Sequence, residues 1–215
     1  MTSYKMKYYP HVLGITFFVF FILLGIHPVD RAVWIVEVIP IIAVYLLLLF
    51  TYHKFRFTNT SYTLMLLWLV WHTIGGHYTF ANVPFDFITN LFNFERNHFD
   101  RIGHIVVGFY AYPVAEFLTR KKYANSLVAS LFGLFFIMSI AAGYEIVEWA
   151  YAVIEGGNTG IEFLGSQGDI WDAQKDMLAD TVGAIISLCL FWYIRPDIYT
   201  TPISQDNFSK ILIPS

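Results

Sequence analysis

Ionisable side chains recur at helical spacing in four stretches of an otherwise apolar chain. They are WHTIGGHYTF (His72, His77), FERNHFDRIGHIVVGF (Arg96, His98, Asp100, Arg101, His104), YEIVEW (Glu145, Glu148) and LGSQGDIWDAQKDMLAD (Asp169, Asp172, Lys175, Asp176, Asp180). At about 100° per residue, Asp169, Asp172, Asp176 and Asp180 fall within roughly an 80° arc of one helix. Glu145 and Glu148, three apart, share a face, as do Asp100 and His104, four apart. Arg101 is also a neighbour of His104, so a carboxylate, a guanidinium and an imidazole meet at one helix start. His72 and His77 are five apart, about 140° on an ideal helix. They converge only if Gly75-Gly76 breaks that helix, which two glycines permit.

Carboxylates and imidazoles drawn from several helices are the raw material of a metal site in a bundle core. The expected ligands are His72, His77, His98, His104, Glu145, Asp172 and Asp176. Oxygen and nitrogen donors without thiolate suit Zn, Mn or Fe rather than copper(I). Cys189 stands alone in an apolar run and offers neither a disulfide nor a thiolate pair. A bound divalent metal would lower the pKa of a water, and Glu148 is the expected general base. Arg101 and Lys175 are expected to bind an anionic head group or phosphate, and Asp180 to orient a ligand from behind. Neither the paired Glu-x-x-His of di-iron bundles nor His-Glu-x-x-His is present; Glu145-x-x-Glu148 has the spacing but a second Glu.

Each group also has an explanation without chemistry. Helix capping and an ion pair account for Asp100, Arg101 and His104. Glu145 and Glu148 could pair with Arg96, Arg101 or Lys175 to hold helices together. These accounts serve one group at a time and strain when asked to cover four neighbouring helices at one depth.

The elements that position these residues follow from composition. Hydrophobic residues make up 57% of 215 and charged residues 13%, with 19% aromatic and a mean hydropathy of +0.56. A soluble chain carries about 25% charged residues, so this one is expected to lie in a bilayer as a single all-α membrane domain over residues 1–215. Six spans are expected, at about 11–26, 32–50, 61–78, 102–119, 126–153 and 177–194. The second contains Glu37 and Pro40 and is expected to kink. The first is read as a retained helix, because Gly25-Ile26-His27-Pro28 offers no small-x-small cleavage site. Nine basic residues fall on one side of this arrangement (Lys5, Lys7, Lys54, Arg56, Arg120, Lys121, Lys122, Arg195, Lys210) and four on the other. The richer side marks the cytoplasm, which places both termini inside. Thirteen of the sixteen acids then lie toward the outer face. A net charge of −3 without a clustered basic face gives no support to nucleic-acid binding.

These same stretches resemble the YjdF-type bacterial inner-membrane proteins over roughly residues 20 to 195. The resemblance implies a multi-pass bacterial membrane protein and no particular substrate. A weaker likeness is to VanZ-like proteins, at Asp100, His104, Glu145, Asp172, Asp176, Asp180 and Gly183, with Arg101 in place of a Lys and Asp180 in place of an Asn. It implies a shared four-helix core but no reaction. The leading expectation is a metal-dependent hydrolase or transferase acting on a lipid or envelope substrate. The alternatives are a proton- or cation-coupled transporter, and a structural protein with a salt-bridged polar core. No internal repeat pairs the first three spans with the last three, which counts against the transporter. The sequence leaves the oligomeric state open.

Overall fold

Asp30, Thr58 and Asn125 each end a turn and begin a helix by accepting hydrogen bonds from the backbone N–H groups that a first turn leaves unpaired. The Asp30 carboxylate takes two, from Ala32 at 2.7 Å and Val33 at 3.0 Å. The computed structural model describes residues 8–157, 160, 164 and 166–194. Lys5, Lys7, Arg195 and Lys210 of the charge count, and both termini, lie outside the described residues.

Among those residues the helices are α1 (Tyr9–Leu24), α2 (Arg31–Thr51), α3 (Asn59–Tyr78), α4 (Asp86–Leu91), α5 (Phe99–Gly108), α6 (Ala111–Arg120), α7 (Ser126–Glu155) and α8 (Asp172–Ile194). The protein is a multi-pass helical membrane bundle. Four stretches are long and apolar enough to cross a bilayer: α2, α5 continued into α6, α7 and α8. The first expected span begins two residues earlier and forms α1, whose 16 residues rise about 24 Å. Residues 61–78 fall within α3, a 20-residue helix of lower apolarity. The 30 residues of α7 rise about 45 Å and outrun a hydrocarbon core of about 30 Å.

The single span expected at 102–119 is two helices. Pro113 has no N–H to give to the carbonyl of Phe109. The chain tightens instead, with Phe109, Tyr110 and Tyr112 donating to carbonyls three residues back, at 3.0–3.2 Å. Pro40, by contrast, sits inside a continuous α2.

Two cores hold the bundle. Phe17, Trp34, Ile41 and Trp68 join α1, α2 and α3. Tyr112 and Phe191, both fully buried, join α6 to α8 with Ala111, Ala115 and Ala129 around them. Outward-facing residues on α1, α2, α7 and α8 are large and apolar, including Val12, Phe50, Phe135 and Ile185. In water such a surface would drive aggregation; in a bilayer it is the lipid-facing surface. Cys189 belongs to this exposed side of α8.

The closest approach is between α5 and α8. A Cβ on Gly108 would stand 2.5 Å from the Ala184 nitrogen, and one on Gly183 would stand 2.8 Å from the Ile105 carbonyl carbon. Only glycine lets these backbones touch, as small residues do between membrane helices. That crossing lays His104, one turn before Gly108, against Asp180, one turn before Gly183.

Candidate polar site at one end of the bundle

Asn97 sets where α5 begins. Its side-chain oxygen accepts from Phe99 N–H at 2.9 Å, and its amide donates to the carbonyls of Ala81 (3.1 Å) and Val83 (2.8 Å). Its backbone exchanges two hydrogen bonds with the Gln167 side chain, both 2.9 Å, which ties the start of α5 to the approach to α8. Trp71 of α3 donates to the Phe99 carbonyl at 2.9 Å and stacks on the Phe99 ring at 4.4 Å. The loop ends are thus fixed to a framework, which a site needs for placed side chains.

On that framework, Arg96 and Arg101 converge on the same carboxylate oxygen of Asp172, each at 2.5 Å. Arg101 Nε also lies 3.1 Å from Asp176 Oδ1. Lys175 is paired with Asp169 at 2.6 Å. That hydrogen bond, with one from Trp171 N–H, holds the Asp169 carboxyl below the usual carboxylate range. Asp169 precedes α8 rather than riding on it, so the expected four-Asp stripe is three on the helix and one in the turn.

Deeper in, the His104 Nδ1 lies 3.0 Å from Asp180 Oδ2. Its Nε2 faces Asp100 Oδ1 at 3.7 Å and Asp176 Oδ1 at 3.8 Å. Those two distances are too long for hydrogen bonds. The three ligand atoms lie within 4.8 Å of one another, close to the separation of about 3 to 4 Å that metal bonds of about 2.1 Å produce. Asp180 Oδ1 and Glu145 Oε1 are buried and make no hydrogen bond among the described residues. Glu148 of α7 lines one cavity with Asp100, His104 and Asp180, and Glu145 lies one turn before it on the same helix. Arg96 and Arg101 pair with Asp172 and Asp176, while Asp100 and Asp180 face the imidazole of His104.

The other histidines stand apart. His72 Nε2 lies 3.1 Å from both the backbone carbonyl and the Oε2 of Glu37, which also accepts from the Tyr144 hydroxyl at 3.0 Å. His77 turns to α1, where its Nδ1 meets the Leu24 carbonyl at 2.7 Å. The expected convergence of His72 and His77 does not occur, because α3 runs unbroken through Gly75-Gly76. These glycines serve close approach instead: the Phe80 ring folds over Gly75, and the Glu37 Cβ would be 3.1 Å from a Cβ on Gly76. His98 packs edge-on against Phe94 at 4.5 Å. Burial and the guanidinium groups of Arg96 and Arg101 hold its imidazole below its ordinary pKa.

Of the expected ligands, the structure therefore brings His104 and Asp176 to ligand distance, with Asp100 as the third. Asp172 is taken up by two arginines, and Glu145 stands beside the group. The sequence reading set Asp100 beside His104 without counting it among the candidate ligands, and it gave Glu37 and Tyr144 no place in the site. The signal for Glu37 was present: it is a lone carboxylate in RAVWIVEVIPIIAVYLLLLFT, and a charge inside a span marks a functional position by default.

A cavity of about 670 Å³ opens below the cluster. Glu37, His72, Asp100, His104, Tyr144, Glu148 and Asp180 line its polar end, and among the described residues no lysine or arginine lines it.

Residues 9–197 match the family described as "Predicted membrane protein (DUF2238)". The chain belongs to this family. It is 36% identical over 167 residues to the inner membrane protein YjdF of Escherichia coli (strain K12), covering 76% of this chain and 79% of that protein. No solved structure matches. Family and apolar helices together make this a membrane protein, and the relative resides in the inner membrane of its cell.

Proposed function

We propose that this protein is a metal-dependent enzyme of the bacterial inner membrane that hydrolyses, or transfers a group from, a lipid or other envelope compound. One observation supports it most. His104 has one ring nitrogen held by Asp180, while the other faces Asp100 and Asp176 at 3.7 and 3.8 Å. A carboxylate behind a ligating histidine fixes its tautomer and raises its basicity, as in carboxylate–histidine–zinc triads. Asp100, His104 and Asp176 would hold the ion, Zn, Mn or Fe by donor type. The metal would supply a water of lowered pKa. Glu148, on the wall of the cavity, is the proposed base, with Glu145 beside it as a further ligand. Arg101 and Lys175, expected to bind an anionic head group, have their charges engaged by Asp172, Asp176 and Asp169. With six spans and both termini in the cytoplasm, the site faces the outer side.

The test is elemental analysis of protein purified without chelator, together with the phenotype of Glu148→Gln. Stoichiometric metal that is lost in His104→Gln supports the proposal. Absence of metal, with Glu148→Gln indistinguishable from wild type, overturns it. The Arg96–Asp172–Arg101 ion pairs favour a second reading, a polar core that only locks helices. On that reading the acid variants lose thermal stability and no ion is found.

A further inference from the structure

The cavity has ends of different chemistry and an open side. Along α2 its lining runs from Val33 to Thr51, about 27 Å at 1.5 Å per residue. That exceeds half of a hydrocarbon core about 30 Å thick. Below the acids its walls are apolar, formed by Val44 and Leu47 of α2 and by Phe132, Phe136 and Ile140 of α7. Leu47 is also 60% exposed, Phe132 52%, Phe136 41% and Ile140 50%, so the cleft between α2 and α7 opens sideways onto the lipid-facing surface. The Tyr144–Glu37 hydrogen bond spans the two helices at the polar end.

Carboxylates outnumber the imidazoles at the polar end, four to two. Glu37 comes from one wall and Glu148 from the other, with Asp180 also on the lining; its two histidines each face a carboxylate, and among the described residues no lysine or arginine lines the space. The Asp180 Oδ1 is fully buried and unpartnered among the described residues. An anionic head placed there would meet carboxylates in a medium of low dielectric, where like charges repel strongly. An ammonium group would satisfy the same carboxylates, and burying a charge is tolerable only when it is paired.

We infer that the α2–α7 cleft binds a membrane lipid whose head carries an ammonium group. The lipid enters sideways from the bilayer, lays its acyl chain against Leu47, Phe136 and Ile140, and sets its ammonium between Glu37 and Glu148. This names the substrate class of the site proposed above and rests on that proposal only in taking the polar end as the reacting end.

The experiment reconstitutes the purified protein in nanodiscs of equal phosphatidylethanolamine and phosphatidylglycerol, re-extracts it in mild detergent and counts the lipids it retains by mass spectrometry. Phosphatidylethanolamine is expected to be retained over phosphatidylglycerol by about tenfold, the factor that 1.4 kcal/mol provides. Glu37→Gln should bring that ratio toward one. Ile140→Trp, on an exposed part of the wall and tolerable to the fold, should reduce retention of both lipids. Metal content should stay unchanged in both variants. Equal retention, a preference for phosphatidylglycerol, or retention that Ile140→Trp leaves intact overturns the inference. Loss of the metal result with the lipid preference intact would sink the enzyme reading alone.

Discussion

His104 is surrounded by carboxylates from α5 and α8, and their distances sort them into two kinds. Asp180 at 3.0 Å is a hydrogen-bond partner; Asp100 and Asp176, at 3.7 and 3.8 Å, leave a gap on the other side of the ring. If an ion fills the gap, Asp180→Asn should weaken its binding by about 10- to 100-fold without abolishing it, the usual cost of losing an outer partner. Titration of stripped protein with metal while following affinity would check this. Asp100→Asn should remove binding altogether. At the opposite end of the bundle, Glu116 is fully buried. It accepts from Thr58 N–H at 2.8 Å, Thr58 Oγ1 at 2.7 Å and Ser61 Oγ, and it pairs with Arg120. Glu116→Ala should cost about 3 kcal/mol, the lower figure for breaking a buried pair, because Arg120 retains some contact with solvent. Thermal unfolding in detergent measures it. Acid should loosen the outer loops for two reasons of the same sign. Asp169 and His98 both have depressed pKa values, so each contributes stability above its unfolded value, about 3.9 and about 6.5. That contribution is lost as pH falls, His98 first. Proteolysis of the loops between pH 7 and 5 would show the His98 part, and between pH 5 and 3, with an acid-active protease, the Asp169 part.

At the scale of helices, the α5–α8 crossing governs whether the site exists. Gly183→Ala pushes a methyl group into the Ile105 backbone, and overpacking a fitted interface costs about 1–3 kcal/mol or more. It should lower the melting temperature and separate His104 from Asp180, so that metal binding falls with it. Gly143→Ala is the control: nothing stands within 4 Å of its Cβ, and the helix should gain up to about 1 kcal/mol. The helices were legible because long apolar runs have few other destinations, and the ends expected for α2, α3 and α7 fall close to the helix ends found. The break at Phe109-Tyr110 was not read, although Pro113 carried its cause. Proline within a span is ambiguous, as Pro40 shows by sitting inside an unbroken helix. Helical spacing set Asp100 beside His104 on one helix and Asp176 on the same face as Asp180 on another, and in the structure all three carboxylates face His104. Which of several carboxylates would be consumed by arginines was not legible, since that depends on the crossing angle and on loops pinned by Asn97 and Gln167. His77 was misplaced for a related reason: glycine pairs permit both a break and a close approach, and only the neighbours decide.

For the molecule in its membrane, the distribution of basic residues predicts which loops face which side. In a Cys189→Ser background, Gln167→Cys should react with a membrane-impermeant thiol reagent added to intact cells, and Lys121→Cys only after the membrane is opened. The reverse pattern would invert the topology and put the polar site on the cytoplasmic face. In the unaltered chain the lone thiol of Cys189 is useful in its own right. It is exposed on the outer wall of α8, nine residues and so about 13 Å along the helix from Asp180. A nitroxide attached there would sit in lipid, away from every carboxylate discussed, on the natural sequence. Manganese taken up at His104 would broaden its spectrum through space, so the protein carries a built-in ruler between its bilayer surface and its polar heart.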